Sequence, residues 1–130
     1  MPARLFAYLS YPDAPAALDW LAAVGFAVVR RQDHAAGGVV HAEVRLGDAV
    51  LMVASDDAPY TRPPLVGRST GGGLYLLVDD VDAVTARAAG AGARVVVEPE
   101  ETPWGSRLAR VLDPQGHEWS FGDYEPGLTW

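Results

Sequence analysis

The residues of this chain best suited to chemistry are its histidines and the carboxylates near them. His41 begins a predicted strand shared with Glu43, and His117 is followed directly by Glu118. Imidazole and carboxylate groups are common metal ligands, so His41, Glu43 and Glu118 could hold a divalent ion if the fold brought them together. No two histidines show the close spacing of a metal motif. We therefore expect the histidines to have solvated or structural roles, including His34 in its polar turn. A metal site formed by His41, Glu43 and Glu118 stays an open alternative.

Other catalytic motifs are absent from the sequence. There are no cysteines, which excludes disulfides, thiolate nucleophiles and cysteine–metal sites. No Gly-x-Ser-x-Gly pattern occurs, and Gly105-Ser106-Arg107 lacks the strand-to-helix context that a nucleophilic serine needs. The glycine run at 71–73 leads into a predicted strand, which is not typical of a phosphate-binding loop. The sequence thus predicts no catalytic residue and no cofactor.

Charge and composition bear on the kind of partner. Seventeen acidic and ten basic residues give a net charge of −7, and the basic residues are scattered arginines. This argues against nucleic-acid binding and modestly favours a cationic small molecule. The N-terminus shows no signal-peptide pattern, and no apolar run approaches the roughly 18 residues of a membrane span. We therefore expect a cytoplasmic protein without a membrane partner.

The elements that must position these residues form a repeat. Residues 1–130 are expected to make one domain, whose module one covers 4–57. In it Asp13 is the predicted N-cap of a helix that Gly25 ends. The predicted strands are Leu5–Tyr11, Phe26–Arg30, Val40–Leu46 and Ala49–Ala54, with a hairpin turn at Gly47-Asp48.

Module two, residues 73–124, repeats the order at a period of about 67–69 positions, as expected for a duplicated unit. Asp80 or Asp82 caps its helix, and Gly90 and Gly92 end it. Its predicted strands are Leu74–Val78, Ala93–Val97, Arg107–Leu112 and Glu118–Gly122. Between the modules a linker at 58–72 is rich in proline and glycine, and a short tail covers 125–130.

Three segments carry a resemblance to a known family. They are Trp104-Gly105-Ser106-Arg107, the stretch from Val111 through Asp113-Pro114-Gln115-Gly116 to Gly122, and the first helix with its Gly25-Phe26 exit. Together with the two βαβββ halves, they resemble the vicinal oxygen chelate superfamily, which includes glyoxalase I, extradiol dioxygenases and bleomycin-resistance proteins. The resemblance covers nearly the whole chain. It implies an α+β fold of two tandem βαβββ modules that form a concave mixed-sheet cleft.

The resemblance also implies where a metal would be held. Metal-dependent members carry one His or Glu ligand on the first and last strand of each module. The corresponding positions here are Phe6, Met52, Gly73 and Ser120, none of which is a His or a carboxylate. Gly73 is expected to leave room where a ligand side chain would stand. A metal-free branch of the family is therefore expected.

The same mapping gives a candidate ligand site. Alternate strand residues share a face, so Tyr8 joins Phe6 and Tyr75 joins Gly73. Aromatic and hydroxyl side chains are usual in small-molecule pockets, and Trp104 could stack at the rim. Arg107 could meet an acidic ligand group, or pair with Asp113 or Glu118. The predicted ligand-binding residues are Phe6, Tyr8, Met52, Tyr60, Tyr75, Trp104, Arg107 and Ser120.

The favoured hypothesis is a metal-free protein that binds a small organic ligand, a cationic aromatic antibiotic among the candidates. The first alternative is a metal-dependent lyase, isomerase or dioxygenase with displaced ligands. The second is an interaction module whose sheet serves only assembly. The resemblance implies a homodimer, with Tyr124 and Trp130 as candidates for packing across its interface. A ferredoxin-like dimer, with one strand fewer in each half, is the main alternative fold.

Overall fold

The computed structural model describes residues 2–58 and 70–128 of the chain. It divides into two compact units, Met1–Thr61 and Arg62–Trp130, and each carries one copy of the βαβββ order. The predicted α+β class and the strand count of each half are confirmed. The predicted linker lies almost wholly outside the described residues, as does Tyr60.

Module one has four strands and one helix. The helix, α1, follows the first strand, and the remaining three strands succeed one another with short connections. The elements are β1 (Ala7–Tyr11), α1 (Ala14–Val24), β2 (Ala27–Asp33), β3 (Val39–Leu46) and β4 (Ala49–Ser55).

Module two repeats this arrangement. Its elements are β5 (Gly73–Leu77), α2 (Val81–Gly90), β6 (Arg94–Glu101), β7 (Arg107–Leu112) and β8 (Glu118–Gly122). The last two strands have the predicted bounds. By contrast, β2 and β6 extend beyond their predicted ends, because pairing with β3 and β7 keeps their polar C-terminal residues in the ladder.

Both helices begin where the sequence predicts. The Asp13 carboxylate accepts the amide hydrogen of Ala16 at 3.1 Å, and Asp80 does the same for Ala83 at 3.0 Å. Each bond satisfies an amide that has no partner inside the helix. Asp82, the other predicted cap, lies in the first turn of α2.

The two sheets have the same topology. Their strand orders are β1-β4-β3-β2 and β5-β8-β7-β6, with the outer pair β1·β4 or β5·β8 parallel and the others antiparallel. Each sheet is therefore mixed. Even the register shift in β2, between Val28 and Arg30, recurs in β6 between Val95 and Val97.

Alternation along the strands places one face of each sheet in a core. In module two Trp119, Phe121 and Val111 are fully buried on the side of α2, which contacts β6, β7 and β8. In module one Val44 and Val53 lie on the corresponding side, with Leu21 of α1 buried as well. We call the other side of each sheet its open face. Neither helix is long enough to cross a membrane, and no other helix occurs in the described ranges.

Candidate functional site

Equivalent positions form a row across each open face. In module one the row runs across β1, β4, β3 and β2 through Tyr8, Met52, Glu43 and Arg30. In module two it runs across β5, β8, β7 and β6 through Tyr75, Ser120, Arg110 and Val97. Directly opposed residues on neighbouring strands point to the same face, so each row is a set of adjacent side chains.

A tight loop at 102–106 presents Trp104 beside the open face of module two. The Thr102 amide donates to the Ser106 carbonyl oxygen at 2.8 Å, and the Gly105 amide donates to the Thr102 carbonyl oxygen at 3.1 Å. Gly105 has a φ of 84°, a conformation that favours glycine. These bonds hold the loop closed while leaving the Trp104 side chain 66% exposed. An exposed tryptophan on a hydrogen-bonded loop is suited to stacking on a planar ligand.

Tyr75 anchors the chain that follows β8. Its hydroxyl donates to the Tyr124 carbonyl oxygen at 2.6 Å, and burial raises the pKa of the phenol, which keeps this donor protonated. Gly122 permits the contact because a Cβ there would lie 2.9 Å from the Cζ and Cε2 atoms of Tyr75. The tyrosine ring thus lies across β8, and Tyr124 is held next to the 102–106 loop.

Two neighbouring hollows result in module two. The first, the sheet hollow, has a volume of about 260 Å³ and reaches the open face. It is lined by Tyr75, Thr102, Trp104, Ser106, Arg107, Leu108, Ser120 and Tyr124. The second, the acidic hollow, has a volume of about 950 Å³ and is lined by Trp104, Gly105, Ser106, Asp123, Tyr124, Glu125 and Leu128. Trp104, Ser106 and Tyr124 border both, so the two hollows adjoin each other at these residues.

Four of the predicted ligand-binding residues line the sheet hollow: Tyr75, Trp104, Arg107 and Ser120. Three others lie in module one. Tyr8 and Met52 are opposed in register on its open face, and the Arg4 guanidinium covers the ring of Phe6 at 5.0 Å from its centroid. The structure therefore brings together the members within module two, and separately the pair on β1 and β4.

Arg107 has different partners from those the sequence suggested. Its Nε and Nη2 atoms donate to Asp82 at 2.7 and 2.9 Å, and Nη1 donates to Glu101 at 3.3 Å. These bonds hold the pKa of Asp82 below its ordinary value. The expected pairing with Asp113 or Glu118 was wrong, since the guanidinium turns to the first turn of α2.

Gly73 does not leave the space that was expected. A Cβ at this position would lie 2.9 Å from the Glu118 Oε2 atom, since the carboxylate of Glu118 occupies the position over the glycine. Glu118 Oε1 also accepts a hydrogen bond from Thr70 at 3.3 Å. The prediction of free space there was wrong, because no sequence pattern indicates that a side chain of the neighbouring strand fills it.

The donor atoms present do not fit a divalent metal. A phenyl ring, a thioether, a bare glycine and one hydroxyl stand at Phe6, Met52, Gly73 and Ser120. Among residues 2–58 and 70–128, no group of three or more His, Asp or Glu side chains could hold an ion. His41 Nε2 lies 2.7 Å from Glu43 Oε2, and this hydrogen bond holds the pKa of Glu43 below its ordinary value.

Sequence reasoning missed several side chains around the hollows. Tyr124 was assigned to a possible interface, whereas its backbone carbonyl is bound to Tyr75 within module two. Arg110 and Leu108 were not considered, although the turn at 113–116 sets the register that opposes Arg110 to Ser120. That turn was recognised, so the signal for Arg110 was present in the sequence. No comparable signal pointed to Asp123 or Glu125.

Comparison with protein families matches residues 5–121 to the model of the Glyoxalase/Bleomycin resistance protein/Dioxygenase superfamily. An uncharacterised protein of Mycobacterium bovis is 36% identical over 121 residues, which cover 88% of this chain and 79% of the relative.

Solved structures with the same fold cover nearly the whole chain. TioX from Micromonospora sp. ML1 is 32% identical with a TM-score of 0.74, over 95% of this chain and 100% of that one. A bleomycin resistance determinant encoded on the transposon Tn5 is 20% identical with a TM-score of 0.66, over 95% and 99% of the two chains. This second likeness is one of fold alone.

Proposed function

The chain belongs to the glyoxalase/bleomycin resistance protein/dioxygenase superfamily, and we propose that it is a metal-free protein that binds and sequesters a cationic aromatic antibiotic. The observation that carries the proposal is the acidic hollow of module two, where Trp104 and Tyr124 stand beside Asp123 and Glu125. The Tn5 relative is named for bleomycin resistance, but the ligand class proposed here comes from the residues of the hollow.

The aromatic part of the ligand is proposed to lie against Trp104. This side chain is exposed while its loop is fixed by backbone hydrogen bonds, so stacking costs little conformational entropy. Tyr124 and Leu128 supply further apolar surface in the same hollow. Burial of planar rings against tryptophan and tyrosine is a frequent source of affinity for small organic ligands.

The positive charge of the ligand is proposed to face Asp123 and Glu125. Asp123 Oδ1 accepts the Arg107 amide hydrogen at 2.8 Å, which fixes the carboxylate at the edge of the hollow. A cation beside a carboxylate and over an aromatic face gains from both interactions. The net charge of −7 adds a general attraction at long range.

Thermal denaturation of metal-stripped protein tests the proposal. Bleomycin and doxorubicin serve as cationic aromatic probes, and Mn²⁺, Ni²⁺ and Zn²⁺ are added separately. A ligand at 100 times its Kd stabilises the native state by about 2.7 kcal/mol. We expect a saturable increase in Tm with at least one antibiotic and none with the metals. A saturable increase with a metal alone would overturn the metal-free proposal.

Trp104→Ala locates the site. Removal of a central aromatic contact typically costs about 1.4 kcal/mol or more, so we expect the Kd to rise at least about tenfold. Val29→Ala is the matched control, because Val29 is an exposed apolar residue of β2 in module one. Equal binding by the Trp104→Ala variant and the unmodified protein would contradict the assignment of the hollow.

A further inference from the structure

Arg110 lies on the open face of module two and forms no ion pair with any residue that the structure describes. It lies on the central strand β7, opposed to Ser120 on one side and Val97 on the other. Its Nε atom is buried and has no hydrogen-bond partner among residues 2–58 and 70–128. Arg31, His41 and Arg107 form ion pairs in the described part of the chain, whereas Arg110 forms none there.

The lack of a partner contrasts with the acidic composition of the chain. Acidic residues outnumber basic ones by 17 to 10, yet none lies within ion-pair distance of Arg110 in the ranges described. Two glutamates are the diagonal neighbours of Arg110 in the sheet: Glu118 of β8 opposes Leu112, and Glu100 of β6 opposes Leu108. Neither forms an ion pair with Arg110 in the described ranges. For Glu118 the position of the carboxylate gives the reason. Its carboxylate lies over Gly73 and accepts from Thr70, on the side of β5 rather than β7.

The Nε–H group of Arg110 is costly to leave unpaired, because this one buried donor has lost water without gaining an acceptor. The neighbours of Arg110 would suit an apolar residue, since Val97 and Leu108 lie beside it. The presence of an arginine at position 110 is explained if a bound ligand supplies the hydrogen-bond acceptor. The planar guanidinium presents several donors in a fixed geometry that matches oxyanions.

Ser120 supplies a second donor at the same place. It is the direct cross-strand neighbour of Arg110, and its hydroxyl makes no hydrogen bond within the described residues. Side chains so opposed have Cβ atoms about 5 Å apart, which allows both to contact one carboxylate or phosphate group. Ser120 also lines the sheet hollow, so this pair of donors adjoins the surface of Tyr75 and Trp104.

We propose that Arg110 and Ser120 form an oxyanion-binding site for a carboxylate, sulfonate or phosphate group of the bound ligand. The inference rests on the proposed function in that the same molecule fills the sheet hollow with its aromatic part. The ligand is then an aromatic compound with an anionic group at Arg110 and a cationic group toward Asp123 and Glu125. Such a ligand meets a cation next to Ser120 and two carboxylates at the acidic hollow.

The Nε–H signal of Arg110 in ¹⁵N NMR spectra tests the anion site directly, with Arg110→Gln used to assign it. Inorganic phosphate is titrated against sodium chloride of equal ionic strength. Naphthalene-2-carboxylate is then compared with its neutral counterpart naphthalene-2-carboxamide by calorimetry. Arg87→Gln is the matched control, since it removes the same charge from the exposed surface of α2.

We expect phosphate to shift the Arg110 Nε–H signal saturably, beyond the effect of chloride. The carboxylate should bind at least about tenfold more tightly than the carboxamide, because a guanidinium forms a stronger hydrogen bond with a charged carboxylate than with a neutral amide. Arg110→Gln should remove this preference, and Arg87→Gln should keep it.

The outcomes separate the anion site from the aromatic hollow. Equal affinities for carboxylate and carboxamide, with an unmoved Arg110 signal, would overturn the anion site while leaving aromatic binding intact. A shifted Arg110 signal with no binding of the carboxamide would support the anion site and count against the hollow. A preference for the carboxylate that survives Arg110→Gln would also overturn the assignment.

Discussion

The two modules are the same scaffold with different side chains on the open face. Tyr8 and Tyr75 stand at equivalent places, whereas Glu43 in module one is replaced by Arg110 in module two. Glu43 is paired with His41 at 2.7 Å, and Arg110 has no partner in the described part of the chain. The charge in module one is thus compensated internally, while the charge in module two is left for an external group.

The loops before the third strand of each module also share a backbone conformation and differ in their side chains. The His34 amide donates to the Gly38 carbonyl oxygen at 3.1 Å, just as Thr102 donates to Ser106 in module two. At the tip of this shared loop module one has Ala36, and module two has Trp104. A duplicated backbone therefore carries the proposed binding surface in one copy only, as expected when function depends on grafted side chains rather than on the fold.

The largest expected effect concerns the turn that sets the register of β7 and β8. Buried Asp113 accepts the amide hydrogens of Gln115 and His117 at 3.0 Å and the Trp119 indole hydrogen at 3.2 Å. Asp113→Ala leaves these donors without this acceptor, so we expect the free energy of unfolding to fall by about 3 kcal/mol in urea. Asp48→Ala, in the exposed turn of module one, should change it by less than about 0.5 kcal/mol. Similar losses in both variants would contradict this difference between the turns.

Gly122→Ala tests the packing that positions Tyr124. A methyl group there would overlap the ring of Tyr75 and break its bond to the Tyr124 carbonyl oxygen. We expect a loss of about 2 kcal/mol in stability from overpacking, and weaker binding of bleomycin. Module one already has Ala54 at the equivalent position, so this constraint belongs to module two. An alanine variant as stable as the unmodified protein would show that Tyr75 does not need the glycine.

Arg110→Met is expected to leave stability unchanged or raise it by up to about 1 kcal/mol. Methionine keeps apolar contact along the strand and removes an unsatisfied donor. The counterpart change Glu43→Met removes the partner of His41 and should lower stability. Urea unfolding of both variants gives the comparison, and a clear loss of stability in Arg110→Met would indicate a structural role for the arginine.

The smallest effect is expected at the ion pair of Asp82 and Arg107. Because Arg107 holds the pKa of Asp82 below its ordinary value, Arg107→Gln should raise that pKa toward the ordinary value of an aspartate. The group stabilises the fold above its unfolded-state pKa, and this contribution disappears as pH falls through the lower folded-state pKa. Carboxyl ¹³C titration measures the shift. The difference in Tm between the two proteins should shrink in acid, and a difference that persists at low pH would argue against this pair as its source.

Local signals in the sequence were sufficient to predict the helices and turns of both modules. The caps Asp13 and Asp80, the glycines after the helices and the hairpin at Gly47-Asp48 each act over a few residues, so their prediction needs no tertiary information. The partner of Arg107 could not be found this way, because Asp82 is 25 residues away and meets it only after α2 packs on the sheet.

Some residues of the candidate site could be named from the sequence, and others could not. Tyr75 was predicted from alternation along its strand, Ser120 from the ligand positions of the resembling family, and Trp104 from its irregular turn; all three line the sheet hollow. The position of Glu118 over Gly73, by contrast, depends on a side-chain conformation that no pattern records. The homodimer and the cytoplasmic location stay predictions.

The central claim is that module two holds the ligand, and a ¹⁵N NMR titration of the full chain with bleomycin tests it most directly. We predict saturable shifts of the Trp104 indole and of the amides of Gly105 and Tyr124, which border the acidic hollow. The matching loop of module one, Ala36 to Gly38, should stay unshifted. Saturable shifts centred on that loop, with the Trp104 indole unmoved, would contradict the account.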